Sequence, residues 1–367
     1  MSHLLFTFIF VAFVCGQAMA KTHTVYIGTY TGKGSKGIYA VSFNDKTGEI
    51  KKLGLAAETE NPSFVALHEN GKYLYAVNET GSGEISAFKT RKDSYKLELI
   101  NEKPSGGGAP CHLVIDETGR NLLVANYSGG SVSAIRIDDK DGALGEQTAL
   151  IQHEGSSVTD RQKAPHGHSI NLSTDNRFAI VADLGTDEVV TYAFDAKKGT
   201  LKRASAEEMK PGSGPRHFAF NPKSNHAYAI NELTSTITVM EYNKKSGELS
   251  TIQDIPTLPR DFTGKSFTAE VRVSPDGRFV YGSNRGHDSI AVLRVGDDHK
   301  LTLIQIESIN GKTPRNFNLD PSGKFLLTAG QNSGRIRVFE IDQKTGRLKK
   351  TDHSVKIPSP VCIRFSK

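Results

Sequence analysis

The sequence predicts an all-β fold, a seven-bladed β-propeller closed by N- and C-terminal strands that share one blade. Three observations predict it. A proline-led apolar strand recurs along the chain, at Pro62, Pro110, Pro165, Pro215, Pro314 and Pro360, with Ala269 in the proline's place once. The intervals are 48, 55, 50, 54, 45 and 46 residues, the length of a four-stranded blade. The seventh unit stops after its first strand, while the chain opens with three strands that lack a first strand of their own.

Each element follows from local chemistry. The first strand leads to a D/N-x-x-G-type turn, as in Pro275-Asp276-Gly277-Arg278. A second strand of Leu, Val, Tyr and Ala ends at Asn or Asp. A Gly/Ser turn then opens an alternating third strand, such as Thr236 to Tyr242. A T/S-G-x-L turn starts the fourth, as at Thr47-Gly48-Glu49-Ile50 and Thr345-Gly346-Arg347-Leu348. The opening strands at Thr24–Gly28, at Gly37–Phe43 and after Gly48 complete the unit begun at Pro360. Closure of this kind removes the free sheet edges that invite aggregation.

The first twenty residues are different material. Residues 4–14 form an apolar run of eleven, too short to span a bilayer as a helix, followed by the small-residue site Ala18-Met19-Ala20. This pattern predicts a secretory signal peptide over 1–20, cut after Ala20, and a single propeller domain over 21–367 in the periplasm or outside the cell. The mature chain then carries two cysteines, Cys111 and Cys362. The blade between them puts them beyond bridging distance, so two thiols are expected.

Composition narrows the partners. The net charge of +6 is spread along the chain with no block of five basic residues, which argues against nucleic-acid binding. No C-x-x-C pair, G-x-S-x-G elbow, phosphate loop or dinucleotide fingerprint occurs. After signal cleavage no membrane partner is expected. Oligomeric state leaves no readable pattern.

The register points to a site. In a propeller the first strands line the central channel, and the end of each second strand meets the start of the first at one mouth. His112 to Asn126, His217 to Asn231 and Glu270 to Asn284 are each fourteen apart, while His168 to Asp183 is fifteen, which reads as one extra residue in that blade. The ring at this position is Phe64, His112, His168, His217, Glu270, Asn316 and Cys362. The preceding position adds Arg216 and Arg315, and the residues after the second strands add Glu79, Tyr127, Leu184, Glu232, Arg285 and Gln331. Histidines, glutamates and arginines converging on one end of a channel make a binding site. His166 and His168 form an H-x-H pair, for which one ligand-facing ring and one backbone-held ring is favoured over metal binding. Arg272 is placed to pair with Glu270. Arg161 lies in a loop over the mouth, either reaching an anion or solvated.

These stretches resemble the lactonase family of seven-bladed propellers, which includes 6-phosphogluconolactonases and fungal 3-carboxy-cis,cis-muconate cycloisomerases. The resemblance rests on Tyr26-Ile-Gly-Thr-Tyr30, Tyr75-Ala-Val-Asn-Glu79, Gly107 to His112, Ala125-Asn-Tyr127, Pro165-His-Gly-His168, Gly214-Pro-Arg-His217, Asn231-Glu-Leu233 and Ser283-Asn-Arg285, spanning the mature chain. It implies a catalytic set at His168, Arg216 and Glu232, with Arg285 the nearest match to a further arginine, and no metal or organic cofactor. The expected ligand is a small anionic lactone or sugar acid, with His112, Arg161, His166, His217, Glu270 and Arg315 as substrate-binding residues. Lactone hydrolysis by an activated water is the leading expectation. A cycloisomerase on the same residues, or a non-catalytic exported propeller binding an anionic carbohydrate or protein, are the alternatives. An export signal sits poorly with a cytosolic phosphorylated substrate.

Overall fold

The computed structural model describes residues 21–366; the expected signal peptide over 1–20 lies outside them. Seven four-stranded antiparallel sheets form the blades of a propeller. Blade 1 is the composite: Pro360–Phe365 is its inner strand, followed outward by Thr22–Thr29, Gly37–Asn44 and Ile50–Glu58. The other inner strands are Val65–Leu67, Pro110–Ile115, Gly167–Leu172, Pro215–Phe220, Phe267–Val273 and Pro314–Leu319, in blades 2 to 7. They neighbour one another in that order and close on blade 1.

Burial explains the strand compositions. The second strands of blades 2 to 5, such as Tyr73–Asn78 and His226–Asn231, are buried at every position, because sheets pack on both of their faces. The outermost strands alternate and carry lysines and glutamates, as in Thr200–Glu208, which protects the blade edges. Apolar clusters join the blades. Ile27, Ile363 and Phe43 of the closing blade pack with Leu327 and Val338 of blade 7, and Tyr26, Ile38 and Cys362 pack with blades 2 and 3. The closure is therefore sealed on both faces.

The turns form as the sequence predicts. Gly277 adopts φ +75°, and Asp276 accepts from the Ser274 hydroxyl and the Arg278 N–H. Gly346, at φ +72°, sits where an added Cβ would lie 2.3 Å from the Phe279 ring of the next blade, and its carbonyl accepts from Tyr281. Asn126, Asn231 and Asn284, ending their second strands, are buried and tie the adjoining turns by side-chain hydrogen bonds. Cys111 and Cys362 are buried free thiols.

One expectation of register is corrected. In blade 3 Pro110 pairs with Asn126 and His112 with Ala125, so Cys111 is bulged out of the ladder. Arg216 and Arg315 occupy the same bulge in blades 5 and 7. In blade 4 Gly167 pairs with Asp183 and Ser169 with Ala182, which makes His168 the bulged residue. Blade 4 has no extra residue. His168 belongs to the ring of Arg216 and Arg315, and Ser169 takes the place beside His112 and His217.

Candidate active site

The bulge lifts one side chain per blade toward the mouth where the inner strands begin, called the upper mouth below. Ser63, Cys111, His168, Arg216, Arg315 and Val361 line a cavity of about 10 Å³ there, together with Glu79 and, from one step below, Phe64, His217 and Asn316. That is room for one water.

Glu232 organises the cations above it. Its Oε2 accepts from Arg216 Nε at 2.8 Å and lies 2.7 Å from Arg285 Nη2, and its Oε1 accepts from Arg161 Nη2 at 3.2 Å. Burial alone would raise this carboxyl; Arg285 and Arg216 outweigh burial and hold it well below the usual carboxylate range. Arg216 also donates to the Ala269 carbonyl at 2.7 Å, and Arg285 to that of Thr268 at 2.8 Å. Burial pushes both guanidinium groups down, yet an arginine stays charged in such a setting.

Arg315 is held differently. Its guanidinium stacks 5.3 Å from the Tyr30 ring centroid, and among the described residues it makes no salt bridge. Burial lowers its value, but Tyr30, Glu79 and Glu232 outweigh burial and raise it. Glu79 in turn accepts from the Tyr30 hydroxyl at 2.8 and 2.9 Å and from the Ser63 hydroxyl. Tyr30 and Ser63 were not among the expected site residues. Tyr30 comes from the composite blade, whose register depends on a pairing across the whole chain length.

His168 is buried, and burial with the neighbouring Arg216 charge holds it well below the ordinary histidine value. It is a neutral ring, 3.5 Å from the Cys111 sulfur through Nδ1. Burial pushes the Cys111 thiol up, so the sulfur keeps its proton.

A scan against protein-family models matches residues 24–365 to "Lactonase, 7-bladed beta-propeller". The chain belongs to the lactonase family. Among its relatives, the 6-phosphogluconolactonase of Bacillus subtilis is 36% identical over 93% of this chain and 97% of its own length. That of Formosa agariphila is 37% identical over 89% and 94%. The solved structure of a periplasmic gluconolactonase from Pseudomonas aeruginosa superposes with a TM-score of 0.89 at 31% identity, over 95% of this chain and 99% of that one.

The remaining expected residues of this lactonase-family propeller divide between two levels. Arg161, on the short 3-10 turn Asp160–Gln162, reaches the Tyr127 hydroxyl at 2.9 Å and Glu232, and caps the upper mouth half-exposed. His166 stacks on Tyr127 at 4.4 Å and its Nδ1 bonds the Tyr127 carbonyl at 2.8 Å, the backbone-held ring of the H-x-H pair. Its backbone N–H is pinned by Asp183, which also binds His153 at 2.6 Å. His217, Glu270 and His112 sit one step deeper. His217 Nδ1 bonds Glu270 Oε1 at 3.0 Å, and Glu270 Oε2 accepts from Arg272 at 3.3 Å and from Asn316. Burial and the charges of Arg216 and Arg272 keep His217 well below its ordinary value, so the contact is a neutral ring N–H on a carboxylate. His112, also depressed by burial and by His217, faces the opposite cleft with Phe64. Among the described residues no group of three His, Cys, Asp or Glu is placed to hold a metal ion.

Proposed function

We propose that this protein is a lactone hydrolase that opens a small anionic or sugar lactone at the upper mouth of its channel. The observation that carries the reading is a neutral histidine, His168, lining a one-water cavity together with Arg216 and Arg315. With the Cys111 S–H directed to the His168 carbonyl (3.3 Å), the ring's Nδ1–H rests against sulfur and its Nε2 lone pair is free. His168 then takes a proton from water as the oxygen attacks the lactone carbonyl. Arg216 and Arg315 stabilise the tetrahedral oxyanion. The protonated His168 returns its proton to the departing ring oxygen, leaving an aldonate. Glu232, already engaged with three arginines, is a weak base and serves as a positioning residue for Arg216 and Arg285.

The cavity excludes a hexose ring. The lactone therefore enters above it, and Arg161 exchanges Glu232 for the incoming substrate's polar groups. The signal-peptide reading and the likeness to a periplasmic gluconolactonase support a periplasmic or secreted enzyme and an unphosphorylated lactone. The one-water cavity favours hydrolysis over cycloisomerisation on the same residues. The test is hydrolysis of gluconolactone and 6-phosphogluconolactone by the purified chain, counted only above spontaneous opening in buffer. Acceleration that disappears in Arg216→Ala supports the reading. Acceleration of neither lactone rejects it.

A further inference from the structure

A much larger cleft lies at the other end of the channel. It occupies about 930 Å³ beneath the ends of the inner strands and between blades 1 and 2. Two residues below the ring of His112, His217 and Glu270, strand alternation returns side chains to the channel. Those positions are Ala66, Val114, Asn171, Ala219, Arg272, Asn318 and Arg364. Alanines at two of them leave space, and Arg272, Arg364 and Asn171 line the cavity.

Among the described residues neither arginine has a full set of partners. Arg364 lies with its guanidinium carbon 4.4 Å from the Phe64 ring centroid and donates only to the Ile363 carbonyl, at 2.9 Å. Among the described residues it makes no salt bridge. Arg272 has one long bond to Glu270, 3.3 Å, and its buried Nε has no partner. Glu270 carries a single negative charge and, of the two, contacts only Arg272, so it does not neutralise both cations. The rim carries charges of both signs, Arg91 with Asp93 and Glu69. The excess positive charge is thus deep in the cleft. Its walls add aromatic faces at Tyr26, Phe64 and Tyr95 and hydroxyls at Thr24, Ser42 and Thr90. Aromatic faces suit the C–H faces of a sugar ring, hydroxyls suit its oxygens, and paired guanidinium groups suit a carboxylate.

We propose that this lower cleft is a second ligand site that binds a monosaccharide-sized sugar carboxylate through Arg364 and Arg272. It is separate from the upper mouth: the rings of Phe64, His112 and His217 stand between, with centroids 4.1, 5.3 and 6.1 Å apart. The proposal does not depend on the lactonase reading.

Calorimetric titration with sodium gluconate and sodium glucuronate tests it on the full mature chain. Arg364→Gln is expected to weaken binding by about 10- to 100-fold, the worth of a charge-assisted bond. Asn171→Asp, which leaves the Arg364–Phe64 stack intact, is expected to weaken it by about tenfold through repulsion. Arg216→Ala is expected to leave this binding in place, and Arg364→Gln to keep lactone hydrolysis within about twofold of wild type. Absence of binding in the wild type overturns the proposal, as does binding that is lost with Arg216 and kept by both cleft variants. Loss of hydrolysis in Arg364→Gln would make the cleft the lactone site and overturn the second-site reading, whereas failure of hydrolysis in the wild type would leave the binding result standing.

Discussion

The two mouths of the channel are built by the same seven strands, yet they treat charge in opposite ways. At the upper mouth three arginines converge on Glu232, and the cavity left over has room for one water. At the lower mouth Arg272 has one long contact to Glu270 and Arg364 has none among the described residues, and the cleft is about 930 Å³. The β-bulge makes the difference. It places an additional side chain near the start of an inner strand, so the upper end is crowded with bulge residues and the lower end is not. A crowded cluster of paired charges is preorganised for a transition state. A roomy cleft with unmatched cations is suited to holding an anion.

The comparison can be broken from the upper side first. His168→Gln should lower kcat by roughly 10²- to 10⁴-fold, the usual worth of a general base, without changing gluconate binding below. Steady-state kinetics and calorimetry on one preparation check both halves. Glu232→Gln should come next. It leaves Arg216 and Arg285 buried without their carboxylate and should cost about 3–5 kcal/mol in urea unfolding. Full lactonase activity in that variant would remove Glu232 from the mechanism.

Acid should weaken the channel through its histidines. His112, His168 and His217 all titrate well below 6.5 in the folded chain. Below that value the unfolded chain binds protons that the folded chain refuses, so their contribution is intact above pH 6.5 and is lost as pH falls. Stability should therefore decline as pH falls below 6.5, while Glu232, held well below the usual carboxylate range, stays ionised in the folded chain. Urea midpoints across that range should fall in the wild type and less steeply in His217→Gln. With His168 as the proposed base, activity should persist through pH 6.5 and decline only in stronger acid. The smallest effect should come from Tyr127→Phe. Removing one bond to half-exposed Arg161 should change KM by roughly two- to tenfold and leave kcat nearly unchanged.

Much of the fold is legible in the sequence because its repeat is local. Each turn needs a glycine or an Asx residue at a set place, each second strand has an apolar centre, and the orphan strand at Pro360 demands the three at the beginning. The residue types around the channel are legible for the same reason, since alternation assigns faces. The level each side chain occupies is less so. A count of fifteen from His168 to Asp183 reads as an insertion until the pairing of Gly167 with Asp183 shows His168 in the bulge. The contact of Arg161 with Glu232 crosses 71 residues, and Tyr30 reaches Glu79 from another blade. Arg364 and Arg272 sit at equivalent positions in blades 1 and 6, but only the assembled ring shows that one acid serves both Arg272 and His217 and that, among the described residues, none serves Arg364.

The sequence by itself determined seven blades, their shared closure, and a channel rich in histidine, arginine and glutamate. These follow from short-range turn chemistry and strand alternation, which the chain specifies residue by residue. Tertiary structure alone decided which of those groups meet, which charges are neutralised and which are left open to a ligand. Those outcomes depend on bulge geometry and on distances between strands far apart in the chain, where burial turns a few ångströms into the difference between a paired and an unpaired charge.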